Sequence, residues 1–250
     1  MDADSTVQAV TSTNASANAA STNLHGSVVE HLGALIVNGG IAEGTVVSVD
    51  RLEGRLDVSR SVIREAIRVL EAKGLVASRR RVGITVQPRQ AWQVLDPSII
   101  RWRMAGQERL RQLHSLGELR RGIEPVAAAL AAARATPEHC RVMSAAVVDM
   151  TVHARSGDLN AYLQADQLFH DTLLQASGNE MLAALRGVVH EVLSGRTEHG
   201  LMPADPNPAA IRLHGDVAAA VLAGDAPTAE RCMREIVEEA TEALGQIGNT

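Results

Sequence analysis

The chain has 250 residues, of which 46% are hydrophobic and 21% charged, and its formal net charge is −5. The length fits one large or two modest domains, and the negative charge argues against a protein that coats nucleic acid or membrane over its whole surface. Only 2% of the residues are aromatic and only two are cysteines, which disfavours base-stacking platforms, disulfide frameworks and cysteine zinc sites. Because no apolar run reaches the length of a membrane helix, we expect a soluble cytoplasmic protein with no membrane partner.

Charge changes sign along the chain after a polar start. Residues 1–22 are rich in Ser, Thr, Asn and Ala without apolar periodicity, so we expect a disordered tail. Residues 24–88 carry nine Lys and Arg against seven Asp and Glu, whereas residues 89–250 carry fifteen against twenty. The clustered basic residues predict that a partner-binding face lies in the earlier block.

Residues 23–87 predict three helices followed by a β-hairpin. The first helix has an apolar stripe that ends at Gly39, and the second is short. Ser59 is placed to cap the third helix, which is predicted over Arg60–Lys73 and ends at Gly74. The two strands are predicted at residues 75–79 and 84–87.

The third helix has the features of a DNA-reading helix. Arg60, Arg64 and Arg68 recur every four residues and form an exposed cationic stripe, while Ser59 and Ser61 lie at the helix start. Arginine can bond guanine O6 and N7 in a bidentate pair, and serine hydroxyls can hold phosphate. The alternative is a solvated arginine face without a partner.

The hairpin that follows decides between these alternatives. Its tip contains Arg80, Arg81 and Gly83, and it would lie beside the duplex as a wing. A tight turn, an arginine stripe and a basic, glycine-containing hairpin together favour binding of double-stranded DNA over a solvated face.

Residues 57–67 read DVSRSVIREAI and resemble the (G)VSR-x-x-(V/I)REAL signature of the GntR regulators. Residues 68–76, RVLEAKGLV, continue as that family's RxLExxGLV. The resemblance covers residues 24–86 and implies a winged helix-turn-helix. It also implies DNA contacts by Ser59, Arg60, Ser61, Arg64 and Gly83.

One position departs from the family pattern. Residues 47–50 read VSVD where GntR proteins usually have PSER, so Asp50 stands in the place of an arginine that touches DNA. Arg51 is the neighbouring residue that would substitute for it. This departure predicts an operator different from the family norm.

The rest of the chain predicts an all-α bundle. After a linker at residues 88–96, helical stripes separated by Gly and Pro continue over residues 97–247 and indicate six or seven helices. Pro125 is expected to kink its helix or mark a break in it. The fold class is therefore mainly α, with a winged helix-turn-helix before the bundle.

The bundle is similar to the FCD effector domain of the FadR branch of GntR regulators. Residues 118–125 (ELRRGIEP) resemble its ExRxxxEP, residues 165–170 (ADQLFH) its xDxxFH, and residues 233–237 (MREIV) its MRxHL. The linker and Trp102 resemble the branch's sugar-acid, galactonate-type regulators. The resemblance implies effector binding, a homodimer and a pseudo-palindromic operator.

A metal site is one hypothesis for this domain. Asp166 and His170 are four residues apart, so both project from one helix face and could hold a cation. The resemblance implies two more histidines: His214 fits one, and Ile236 occupies the place of the other. Three ligands suffice for a divalent metal such as zinc, and the alternative is a hydrogen-bonded Asp166–His170 pair without metal. A further alternative is a ligand supplied by His190 or His199.

Two arginines are candidates for binding an organic anion. Arg120 lies in the ExRxxxEP motif and is expected to face the pocket, where its fork of donors suits a carboxylate. The alternative is an ion pair with Glu124 at i+4. Arg196 is a second candidate on the same reasoning.

These residues predict a DNA-binding transcriptional regulator, a repressor controlled by a small carboxylate or sugar-acid effector, and not an enzyme. An alternative is a metal-dependent α-helical enzyme that uses Asp166, His170 and His214, although no general base or nucleophile is placed by a motif. Another is an architectural DNA binder without an effector.

Overall fold

The computed structural model describes residues 26–201 and 207–247, with side chains up to residue 243. The chain divides into two compact units between Gly106 and Gln107. The tail predicted at residues 1–22 lies outside the described residues.

The first unit is a winged helix-turn-helix with a small sheet. Both strand pairs are antiparallel, in the order β1 (Val46–Val47), β3 (Gly83–Val86) and β2 (Val76–Arg79), and Thr85 of β3 lies between Val46 and Ala77. The hairpin β2-β3 confirms the prediction, whereas β1 was not predicted, because two residues give no alternation. The elements are α1 (26–37), β1 (Val46–Val47), α2 (Val49–Leu56), α3 (Arg60–Ala72), β2 (Val76–Arg79), β3 (Gly83–Val86), a 3-10 turn (Arg89–Ala91) and α4 (Pro97–Met104).

Helix α3 begins and ends as its sequence predicts. The Ser59 hydroxyl accepts a hydrogen bond from the backbone N–H of Val62 at 3.5 Å. At the other end, the N–H of Leu75 donates to the carbonyl of Leu70 at 2.9 Å, and Gly74, at φ 74°, follows the cap residue. This is a Schellman motif, which needs the left-handed conformation that glycine adopts without strain. The buried face of α3 consists of Ile63, Ala66, Ile67 and Leu70, so its arginines face outward.

Helix α4 belongs to the first unit, although residues from 97 onward were predicted to belong to the bundle. Ile99 and Trp102 are buried in the core of the first unit. The Trp102 indole N–H donates to Oε2 of Glu30 at 2.5 Å. The sequence of residues 97–104 predicts a helix but does not show which core covers it.

The second unit is all-helical within its described residues, which confirms the predicted bundle. Helix α5 runs through Pro125 without interruption, so the break that this proline could have marked does not occur. None of the described helices is both long and apolar enough to cross a membrane. The helices are α5 (Arg109–Arg134), α6 (Pro137–Ser156), α7 (Leu159–Ala176), α8 (Glu180–Ala184), α9 (Arg186–Glu198), α10 (Pro208–Ala223) and α11 (Ala226–Ile247).

The core of this bundle lies among α5, α6, α7, α10 and α11. Large buried side chains of α6 and α7, including Met143, Met150 and Phe169, pack against Val217 and Met233. These contacts fix the positions of α7 and α10. The facing surfaces of these two helices carry polar groups toward the centre of the unit.

Candidate functional site

The exposed N-terminal half of α3 presents the predicted DNA-contacting side chains. Ser59, Arg60, Ser61 and Arg64 are all exposed. The hydroxyls of Ser59 and Ser61 are 2.9 Å apart. Within the described part of the chain, the Arg64 guanidinium makes no hydrogen bond or ion pair, so its donors remain available to an anion.

The wing lies next to this helix and extends its positive surface. Arg64, Arg80 and Gly83 line one groove of about 380 Å³. Arg68 and Arg79, which were not among the predicted contact residues, line the same groove. The other five predicted residues do not line it: Arg51 is exposed on α2, Arg81 is exposed at the hairpin turn, and Ser59, Arg60 and Ser61 are exposed at the start of α3.

Arg60 differs from Arg64 because two carboxylates of α2 hold it. Its Nε donates to Oε2 of Glu53 at 2.8 Å, and its Nη2 lies 2.6 Å from Oδ1 of Asp50. The hydrogen bond to Glu53 and the charges of Asp50 and Glu53 raise the pKa of Arg60. Sequence analysis identified Asp50 as a departure but missed this pairing, because the turn between the helices sets which side chains meet.

In the second unit, one cavity of about 60 Å³ collects all five predicted effector residues. They are Arg120, Asp166, His170, Arg196 and His214, from helices α5, α7, α9 and α10. Sequence analysis did not single out four other lining residues, which no recognised motif contains: Tyr162, Leu193, Asn207 and Glu239.

Three ligand atoms form a compact triangle in this cavity. Oδ1 of Asp166 lies 3.4 Å from Nε2 of His170 and 3.2 Å from Nε2 of His214, and the two Nε2 atoms are 3.5 Å apart. All three residues are buried, and Oδ1 of Asp166 has no hydrogen-bond partner. Ligands about 2.0–2.1 Å from a tetrahedral zinc ion lie roughly 3.3 Å from one another, so the triangle fits such an ion.

Neighbouring groups turn both histidines toward this triangle. Nδ1 of His214 lies 2.7 Å from the carbonyl oxygen of Ala210, which can only accept, so Nδ1 carries the proton and Nε2 is free to ligate. Nδ1 of His170 lies 2.8 Å from Oε2 of Glu124, a close ion-pair contact that is too bent for a hydrogen bond. Phe169 meets both rings edge-on and limits their rotation.

The charges around His170 favour a cation. Burial opposes ionisation of Glu124, yet the charges of Arg120 and His170 outweigh it and lower the pKa of Glu124 to about 2. Burial also opposes protonation of His170, but Glu124 and Asp166 raise its pKa to about 9. Despite burial, His170 and His214 hold the pKa of Asp166 well below its ordinary value. Surroundings that stabilise a proton in this way also suit a metal cation.

The two arginines of the cavity are in different states. Nε and Nη2 of Arg120 donate to the two carboxylate oxygens of Glu124 at 2.5 and 3.2 Å, and both residues are buried. The pairing considered as an alternative is therefore present, although Arg120 also lines the cavity. Nε of Arg196 is buried without a hydrogen-bond partner. Burial and the nearby charge of Arg120 lower the pKa of Arg196.

Family models match parts of both units. The model described as "FCD domain" matches residues 115–239, and the one described as "Bacterial regulatory proteins, gntR family" matches residues 24–86. The chain belongs to the GntR family. It is a GntR-family transcriptional regulator with a DNA-binding helix-turn-helix and an FCD domain, which confirms the family predicted from the motifs.

This GntR regulator resembles curated proteins over most of its length. It is 28% identical over 222 residues to the galactonate operon transcriptional repressor of Escherichia coli (strain K12), covering 88% of this chain and 96% of that protein. It is 31% identical over 160 residues to the HTH-type transcriptional regulator LutR of Bacillus subtilis (strain 168), covering 64% and 70%. Among solved structures, E. coli McbR/YncC shares the fold with a TM-score of 0.53 and 19% identity, over 89% of this chain and 97% of that one.

These matches and the geometry bear on three alternatives for the GntR chain. The family and the curated relatives are transcriptional regulators, so the enzyme alternative is not supported. Nε2 of His170 lies 3.4 Å from Oδ1 of Asp166, so an Asp166–His170 pair without metal stays an alternative to a metal site. His190 is exposed, and neither it nor His199 joins the metal-ligand cluster of the described residues. Ile236 does line the cavity, where it presents an apolar wall.

Proposed function

We propose that this GntR regulator is a cytoplasmic repressor whose operator affinity is controlled by a small organic acid that binds in the FCD cavity. The observation that carries the proposal is the buried Nε of Arg196, which has no hydrogen-bond partner and lies in the same cavity as the Asp166–His170–His214 triangle. A buried donor without a partner is costly, and an anionic ligand is the group that would pair it.

The charge balance of the cavity supports an anionic effector. Three carboxylates, Glu124, Asp166 and Glu239, face two arginines, Arg120 and Arg196. This set has one negative charge in excess, so a divalent cation would leave one positive charge in excess. A monocarboxylate would then neutralise the site.

Asp166, His170 and His214 are the residues that would hold a divalent metal such as zinc. When bound, the metal supplies a Lewis-acidic centre with coordination positions open to a carboxylate. Glu124 and the carbonyl of Ala210 orient the two imidazoles from behind. Ile236 leaves the remaining wall apolar, so it favours ligand atoms without charge on that side.

The class of effector follows from a relative and from the cavity together. One relative is named a galactonate operon repressor, and galactonate is a sugar acid. Besides charged groups, the cavity is lined by Tyr162 and Asn207, whose hydroxyl and amide groups suit the hydroxyls of such a molecule. We therefore assign this chain a sugar acid or a closely related hydroxy acid.

DNA recognition falls to the first unit. Arg60, Arg64, Ser59 and Ser61 read or hold the duplex from α3, with Arg51 beside them on α2, while Arg80, Arg81 and Gly83 contact it from the wing. A homodimer places two such units on a pseudo-palindromic operator. The effector changes operator affinity only to the extent that it binds one arrangement of the dimer better than another.

A melting-shift experiment on the full chain tests this function. The protein is stripped with a chelator, reloaded with zinc, and screened with galactonate, gluconate and the neutral sugar galactose. We expect a sugar acid to raise the melting midpoint of the zinc-loaded protein and to weaken its binding to a duplex selected from random DNA. Galactose should do neither, because it offers no carboxylate.

Variants of two arginines on α9 locate the effector site. Arg196→Gln should abolish the shift while the zinc content stays the same, because Arg196 is not a ligand of the triangle. Arg186→Gln is the matched control, since Arg186 is exposed on the same helix. An unchanged shift in Arg196→Gln would refute the carboxylate assignment. A protein that selects a duplex but responds to no acid would instead support the architectural alternative.

A further inference from the structure

Two acidic residues of α2, Asp50 and Glu53, bind some of the N–H donors of Arg60 on the DNA-facing surface. Oε2 of Glu53 lies 2.8 Å from Nε of Arg60, and Oδ1 of Asp50 lies 2.6 Å from its Nη2. A guanidinium has five N–H donors, one on Nε and two on each terminal nitrogen. Three N–H groups remain, two on Nη1 and one on Nη2, and one from each of these nitrogens forms the outer end of the fork.

The outer end of an arginine fork matches the major-groove edge of guanine. Two parallel N–H groups can bond O6 and N7 in a bidentate pair. Two anchoring carboxylates hold the guanidinium in one orientation, although its side chain is more than half exposed. Arg60 is thereby oriented before DNA arrives, so less side-chain freedom is lost on binding.

Asp50 also changes what the start of α2 can bind. It lies in the first turn of α2, and its side chain is 73% exposed. The amino end of a helix attracts anions such as phosphate. A carboxylate in that place repels phosphate, so the DNA backbone binds only weakly at the start of α2.

Two other arginines of the same surface lack such partners. In the described part of the chain, Arg64 and Arg80 make no hydrogen bond or ion pair, and both line the groove beside the wing. They remain free to bind phosphate, which supplies affinity without sequence information. The surface therefore contains two free cations, Arg68 paired with Glu65, and Arg60 held by two carboxylates of α2.

We propose that Asp50 and Glu53 are specificity-determining residues that reserve Arg60 for a guanine and keep it from binding phosphate. The inference rests on the proposed role of α3 as the DNA-reading helix. It predicts that removing the two carboxylates strengthens binding to unrelated DNA more than binding to the preferred site.

The test uses the full chain and two duplexes, one selected by the wild type from random DNA and one with the same bases shuffled. Dissociation constants are measured at several salt concentrations for the wild type, Asp50→Asn, Glu53→Gln, the double variant and Arg60→Ala. Glu43→Gln is the control, because it removes one negative charge from an exposed residue of the same unit that does not contact Arg60. Melting midpoints verify that each variant is folded.

We expect the double variant to lose about tenfold in its preference for the selected duplex, mainly through tighter binding to the shuffled one. The slope of log affinity against log salt should steepen by about 0.9, the value of one additional phosphate contact. Arg60→Ala should reduce the preference similarly, and adding it to the double variant should change the preference no further.

Two results would overturn the inference. One is a preference in the double variant equal to that of the wild type or higher, and the other is a change no larger than that of Glu43→Gln. If the wild type itself prefers no duplex, the proposed DNA-reading role of α3 fails first, and the inference fails with it. The wild-type selection therefore separates the two failures.

Discussion

At the scale of single residues, the charged groups around the FCD cavity form a series of adjacent contacts. Arg120 holds Glu124 through two hydrogen bonds, and Glu124 lies 2.8 Å from Nδ1 of His170, whose Nε2 belongs to the metal-ligand triangle. Arg120 therefore positions Glu124, which in turn contacts His170. Arg196 is the arginine whose Nε has no hydrogen-bond partner.

The buried Arg120–Glu124 pair gives a stability prediction. Arg120→Met should lower the free energy of unfolding by about 3–5 kcal/mol, because it removes the guanidinium that bonds both oxygens of the buried Glu124 carboxylate and leaves only His170 beside it. Arg120→Met combined with Glu124→Leu should recover most of that loss, since both charges are gone. Urea unfolding followed by far-UV circular dichroism measures the difference.

A surface ion pair between α5 and α11 provides the control for this prediction. Arg121 lies next to Arg120 and pairs with Glu238 at 2.8 Å, with 61% of its side chain exposed. Arg121→Met should cost no more than about 1 kcal/mol, because solvent screens the pair. Equal costs at the two positions would mean that Glu124 does not depend on Arg120.

Sequence analysis reached the residues that motifs carry and missed those that tertiary contacts create. Asp166, His170 and His214 were predicted from helical spacing and family resemblance, and the structure brings them together. The hold of Asp50 and Glu53 on Arg60 depends on the angle between α2 and α3, which neither helix encodes locally. Composition and residue spacing do not predict such contacts between helices.

At the scale of elements, local signals predicted the helices well and the sheet only in part. The two adjacent strands β2 and β3 form a local hairpin, whereas β1 pairs across a long stretch of chain with β3. A two-residue strand carries no periodicity, so only the folded chain reveals it. Pro125 shows the opposite case, since a strong local breaker is tolerated within the long, packed α5.

Gly74 links an element boundary to tertiary packing. Its φ is 74°, and a Cβ added there would lie 2.0 Å from the carbonyl oxygen of Ala91. Gly39 has a φ of 77° but open space around it. Gly39→Ala should cost about 1 kcal/mol for the left-handed backbone, and Gly74→Ala about 1–3 kcal/mol more, because a backbone atom must also move.

Tryptophan fluorescence during urea unfolding measures both glycine variants. The chain has two tryptophans, Trp92 and Trp102, and both belong to the first unit, so the signal reports on that unit alone. Indistinguishable midpoints for Gly39→Ala and Gly74→Ala would show that residues 88–93 yield without cost. That result would contradict the close packing of the predicted linker on α3.

At the scale of the whole molecule, the predicted linker is part of the DNA-binding unit. The Trp92 indole N–H donates to the carbonyl of Gln87 at 3.1 Å, and the N–H of Gln93 donates to the carbonyl of Lys73 at 2.9 Å. The Lys73 ammonium bonds Asp96, the cap of α4, at 2.7 Å. The segment therefore connects the end of the reading helix to α4 through ordered contacts.

Helix α4 then completes the core of the first unit. Ile99 is fully buried and Trp102 is 3% exposed. The Trp102 ring lies so close to α1 that a Cβ on Gly33 would come within 2.3 Å of it. The amide of Asn38 donates to the carbonyl of Trp102 at 3.0 Å. Helix α4 thus belongs to the same compact unit as the reading helix.

These contacts predict where the chain can be divided. A fragment of residues 24–106 should unfold in one cooperative transition, whereas a fragment of residues 24–96 should be less stable by about 3–6 kcal/mol. The difference is the burial of Ile99 and Trp102, at about 1.5–3 kcal/mol for each large apolar side chain. A unit this small has little stability to spare, so the shorter fragment should be partly unfolded without denaturant.

Thermal melts of the two fragments by circular dichroism measure this difference, and Trp102→Ala in the longer fragment isolates the contribution of the indole. That variant should lose about 3–5 kcal/mol, the usual cost of truncating a buried tryptophan. Equal midpoints for the two fragments would place α4 with the helical bundle, as the sequence pattern suggested. A lower midpoint for the shorter fragment would establish that α4 folds with the reading helix.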